Sequence, residues 1–178
     1  MNLLATTLEA LARHDLPSAV IGAVAMAAHG VARATMDIDL LLVGREALDS
    51  PAWPELRQTG IDVAIRRGTA DDPLLGVVRL RTVDAAQLDV VVGGALWQRN
   101  VIDRAAPAKL FDCVARVASA SDLVLLKLYA GSPQDRSDIL RLLGASSDTS
   151  LSERVDSELP HLPRRCRELW ASIRRDLD

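Results

Sequence analysis

Along the chain the apolar positions recur first with a helical period, then with a strand-like one, and the changes of period mark out short elements. Residues 3 to 14 (LLATTLEALARH) place Leu4, Leu8 and Leu11 at helical spacing, with Arg13 and His14 near the C-terminal end and Pro17 closing the segment. Residues 19 to 43 (AVIGAVAMAAHGVARATMDIDLLLV) predict a short strand over Ala19 to Ile21 and a turn at Gly22 and Ala23. A small-residue helix ending near His29 and Gly30 follows, and then a second strand carrying Asp37 and Asp39. A further helix opens at Ser50 and Pro51 and stops at Gly60; proline is tolerated at the first helical position because its missing N–H has no partner there. Three strand-like runs come next, Ile61 to Arg66, Val77 to Thr82 and Leu88 to Val92, separated by turns containing Gly, Asp and Pro. In the middle run Val78, Leu80 and Thr82 alternate with Val77, Arg79 and Arg81, the pattern of a half-exposed strand.

The second half is mainly helical in pattern. A helix is expected from Gly94 to Arg104 and a strand from Leu110 to Ala118. Ser119 or Ser121 caps the next helix, which Gly131 ends, and Pro133 begins another with Ile139, Leu142 and Leu143 on its core face. The polar stretch from 145 to 152 reads as a linker, and the tail returns to a helical, arginine-rich pattern. The expected organisation is a domain over residues 1–144 and a C-terminal helical extension over 145–178. The expected fold class is α/β, or α+β by another convention: a small mixed β-sheet flanked by helices, with a C-terminal helical region.

Composition narrows the function classes. With 178 residues, half of them apolar, the chain is long enough to bury a real core. No run approaches the ~20 apolar residues of a membrane span, and the N-terminus lacks a charged and then apolar leader, so a cytoplasmic protein is expected. Cys113 and Cys166 stand far apart and show neither disulfide-framework nor zinc spacing. A net charge of −3 argues against a chain that binds nucleic acid through overall charge. All but two of the 21 basic residues are arginine, which singles out Lys109 and Lys127.

Asp37 and Asp39, two residues apart on a strand, project from one face, because side chains alternate with period two. Asp89 is the one acid on a later apolar strand. Gly22-Ala23, a gap of thirteen residues, Asp37-Ile38-Asp39 and then the distant Asp89 resemble the nucleotidyltransferase superfamily with the DNA polymerase β-like fold. The RATMDIDLLL wording is similar to its compact bacterial branch from abortive-infection and toxin–antitoxin systems, and KLYAGSPQDRSDI supplies the Lys127, Asp135 and Asp138 of that branch. The resemblance spans roughly residues 19 to 143.

The resemblance implies transfer of a nucleoside monophosphate from an NTP to an RNA or protein hydroxyl. It makes Asp37, Asp39 and Asp89 the catalytic ligands of two Mg²⁺ ions, and Gly22, Ala23, Arg33, Thr35 and Lys127 the nucleotide contacts. Asp135 and Asp138 become accessory acids, and an antitoxin protein a candidate partner. Ala23 stands where Gly or Ser is usual, and Ser132 and Gln134 stand where Arg and Lys are common. Two readings follow: a metal-dependent enzyme, or a catalytically weak module of the same fold that binds nucleotide, RNA or a partner protein.

Overall fold

The computed structural model describes residues 2–32, 37–70 and 72–177. The chain opens with α1 (Leu3–Arg13), whose first turn is closed by Asn2: the Oδ1 atom accepts the Ala5 N–H at 3.1 Å. β1 (Ala19–Ile21) passes directly into α2 (Gly22–Ala28), and β2 (Ile38–Val43) returns antiparallel to β1. A 3-10 turn (Arg45–Asp49) and α3 (Ala52–Gln58) lead to β3 (Asp62–Arg67), β4 (Gly76–Arg81) and β5 (Gln87–Gly93), which form an antiparallel meander. α4 (Leu96–Arg104) precedes a hairpin of β6 (Ala106–Leu110) and β7 (Cys113–Val117). The rest is helical: α5 (Ala120–Ala130), α6 (Pro133–Ala145), α7 (Leu151–Glu158), a 3-10 turn (Leu159–His161) and α8 (Arg164–Arg175).

Among the described residues the strands make one mixed sheet of seven in the order β3-β4-β5-β2-β1-β7-β6. β2 runs parallel to β5, and β1 parallel to β7. This is the mixed sheet flanked by helices that the sequence pattern predicts. Register decides which residues share a face. Leu40 pairs with Val90, Leu42 with Val92, Val78 with Val90 and Leu80 with Leu88, so these apolar side chains lie on one face and are buried there. A step of one residue puts Asp39, Asp89 and Arg79 on the opposite face, where Leu41 is also buried. The sheet is thus covered on both faces along β2, and the acids occupy the strand's opening residues.

The helical half is organised around α5. Its sequence is apolar nearly all the way round, and it packs against α2, α6, α7 and α8, burying Leu123, Val124, Leu125 and Leu128. Ser119 closes its start by accepting the Asp122 N–H, and Gly131 closes its end in the left-handed conformation at φ +72. One hydrophobic cluster runs from Leu3 to Ile173, with Trp53, Trp97 and Trp170 inside it.

The structure departs from the sequence reading in the hairpin. The strand expected over Leu110 to Ala118 is β7, which begins only at Cys113; β6, not expected, precedes it and ends at Leu110, with Phe111 and Asp112 at the tip. Phe111 takes φ +52 at that tip.

Candidate functional site

Gly22 and Asp39 form the closest-fitting part of the site. Ile21 pairs with Asp39 across β1 and β2, which carries the Asp39 carboxylate over the start of α2. Gly22 has φ +66, and a Cβ built there would lie 2.0 Å from Asp39 Oδ2. Glycine is required twice over: for the left-handed backbone at the turn, and for the space that the carboxylate fills. Ala23, the next residue, is buried in α2.

β5 supplies the second acid. Asp39 and Asp89 are register partners on parallel strands, so their side chains leave the sheet on the same face from backbones ~4.8 Å apart. Asp37 lies just before β2, exposed, and borders an open hollow of about 620 Å³ that Asn2, Gln87, Phe111 and Asp112 also line. Among the described residues no three His, Cys, Asp or Glu side chains close into a metal cage. Asp39 and Asp89 offer carboxylate oxygens side by side, a chemistry that suits Mg²⁺, which takes one or two carboxylates together with substrate phosphates.

Arg79 is the component that sequence reasoning missed. It pairs with Asp89 across β4 and β5, and its guanidinium donates from Nε to Asp89 Oδ1 and from Nη2 to Asp89 Oδ2, each at 2.8 Å. That fork holds the Arg79 pKa above the ordinary arginine value, and the charges of Asp89 and Asp37 add to the effect. The signal was present in the sequence as the alternation Val77, Arg79, Arg81. It becomes readable once the turn after Thr82 fixes which residue of β4 faces Asp89.

Lys127, Asp135 and Asp138 come together elsewhere, between α5 and α6. The Lys127 ammonium donates to Asp135 Oδ1 at 2.9 Å and to Asp138 Oδ2 at 2.7 Å. Asp138 is fully buried and Lys127 is 14% exposed. Burial pushes the Asp135 carboxyl up, but the bonds from Lys127 and from the Ser132 hydroxyl and N–H outweigh it and hold the group below its usual value. Ser132 and Gln134 serve this cluster. Ser132 caps α6, exchanging bonds with Asp135, and Gln134 Nε2 donates to Asp138 Oδ1 at 3.3 Å. Arg33 and Thr35, expected as nucleotide contacts, lie outside the described residues.

No family model matches the chain, and no curated protein matches it in sequence. Solved structures do share its fold. ANT(2″)-Ia in complex with adenylyl-2″-tobramycin superposes with a TM-score of 0.55 at 18% identity, covering 99% of this chain and 97% of that one. The lincomycin-bound lincosamide antibiotic adenylyltransferase LnuA gives 0.51 at 14% identity, over 80% of this chain and 96% of that one. A solution structure of the antibiotic-resistance factor ANT(2″)-Ia gives 0.50 at 17%, over 98% and 91%. The fold is therefore that of nucleotidyltransferases. No described helix is long and apolar enough to cross a membrane.

Proposed function

We propose that the chain is a nucleotidyltransferase that moves a nucleoside monophosphate from an NTP to a hydroxyl group, with a divalent cation held by Asp37, Asp39 and Asp89. The observation that carries this reading is the in-register pair Asp39–Asp89, with Asp39 seated on Gly22 at the β1–α2 turn. The acceptor oxygen bonds to the α-phosphorus, the bond to the β-phosphate oxygen breaks, pyrophosphate leaves, and the hydroxyl proton is lost to solvent. In such a site Mg²⁺ neutralises the charge that develops on the attacking and leaving oxygens. The protein's share is positional: Gly22 fixes Asp39, and the parallel pairing of β2 and β5 fixes Asp89 beside it.

For the acceptor the reading keeps an RNA or protein hydroxyl, with the chain acting as the toxin of a toxin–antitoxin pair in the cytoplasm. The adenylyl-tobramycin and lincomycin carried by the fold's neighbours add a small hydroxyl-bearing molecule as a third acceptor class. A binding module without turnover is favoured by one observation, the Arg79 fork that takes up both oxygens of Asp89.

The test incubates the protein with each α-labelled NTP and Mg²⁺, together with total RNA, protein extract or a small-molecule fraction in separate reactions. Label should enter one fraction with the parent chain. With Asp39→Asn it should fall by about 10²–10³-fold, the scale of removing one preorganised charge-stabilising group. Nucleotide binding without incorporation in any fraction would select the module.

A further inference from the structure

We propose that Arg79 is the resident counter-ion of the carboxylate site: it holds Asp89 in the cation-free protein, gives it up when a divalent cation arrives, and so sets the cation affinity of the site. The inference rests on reading Asp37, Asp39 and Asp89 as that site. The fold points Arg79 at the acids by register alone. Arg79 faces Asp89 across β4 and β5, and Asp89 faces Asp39 across β5 and β2, so the guanidinium enters a row of side chains on one face of the sheet. Its Nε and Nη2 occupy both carboxylate oxygens of Asp89 at 2.8 Å.

The pair is placed to exchange. The Arg79 side chain is 45% exposed and Asp89 is 19% exposed, so water can replace each partner as the other leaves. A fork of two charge-assisted bonds is specific in geometry, yet an exposed Arg–carboxylate pair contributes little net stability. A divalent cation brings twice the charge to ~2.1 Å from the oxygen, closer than any N–H donor can approach. Arg79 then swings out as a cation free to meet incoming phosphate.

The experiment titrates Mn²⁺ into the parent, Arg79→Gln and Arg79→Lys, reading free Mn²⁺ by electron paramagnetic resonance in the absence of nucleotide. Arg79→Gln should bind Mn²⁺ about two- to fivefold more tightly than the parent, the weight of the competing ion pair. Arg79→Lys, which cannot fork both oxygens, should fall between. Equal or weaker binding by a folded Arg79→Gln, with the parent binding normally, overturns the inference and leaves the cation site standing. If neither parent nor variant binds Mn²⁺ at millimolar concentration, the cation site itself falls and the inference with it. Should Arg79→Gln fail to fold, the parent decides: its Arg79 Nε–H resonance must shift as Mg²⁺ is added, and a resonance that stays put overturns the proposal.

Discussion

The Arg79–Asp89 pair on the sheet and the Lys127–Asp135–Asp138 cluster between α5 and α6 are made of the same opposing charges in different surroundings. The sheet pair opens to solvent at the start of β2 and β5, whereas the helical cluster is closed, with Asp138 fully buried. Burial turns an ion pair from an option into an obligation, because a charge left without its partner in the interior must bear the whole cost of desolvation. The difference separates two roles. The helical cluster joins α5 to α6 through buried bonds, whereas the sheet pair is the one we propose to be exchangeable and part of the site.

The strongest challenge to that division is Lys127→Ala. It strands two carboxylates, one of them wholly buried, and should cost about 3–5 kcal/mol of stability in chemical denaturation. A negligible loss would return Lys127 to the candidate nucleotide contacts. Gly22→Ala comes next. A left-handed backbone costs a non-glycine residue about 1–2 kcal/mol, and the new Cβ collides with Asp39 Oδ2, so transfer should drop further than stability does. Stability loss with full activity would detach Asp39 from the chemistry.

Asp89→Asn sharpens the contrast from the other side. Without cation the melting temperature should be indistinguishable from that of the parent, since an exposed pair adds little, while Mn²⁺ binding is lost. Acid gives the smallest and most graded effect. Asp135 titrates below its ordinary value of 3.8 in the folded chain. Its contribution is therefore complete above the ordinary value and is lost as pH falls through the lowered one. Melting curves of the parent should decline with acid below about pH 4, and Lys127→Ala should show a shallower decline.

Much of this was legible before any coordinates. The small-residue run after Gly22, the three strands of the meander and the helices capped by Ser119 and ended by Gly131 all follow from period and punctuation. Asp37 and Asp39 could be named as a pair from their two-residue spacing on one strand, and Asp89 as the single acid of a later apolar strand. β6 was hidden because Ala106-Pro107-Ala108 has no alternation and contains a proline, which reads against a strand unless that strand lies at an edge. Arg79 was hidden, and the partners of Lys127 with it, for a common reason: both pairings are set across a turn, and sequence spacing alone does not reveal which residue stands opposite. Asp135 and Asp138 were visible as neighbours on one helix face, but the cation between them comes from the preceding helix.

The two margins of the sheet bear on how the protein behaves at high concentration. A terminal strand offers its unpaired backbone to any passing chain, and a flat, apolar one invites stacking into aggregates. β6 closes one margin with Pro107, which has no N–H to offer, and with the exposed Lys109, the chain's other lysine. β3 closes the opposite margin with Asp62, Arg66 and Arg67, all exposed. Replacing Pro107 and Lys109 with valine would leave the carboxylate site untouched and turn a guarded margin into an adhesive one, with light scattering rather than lost activity as the first symptom.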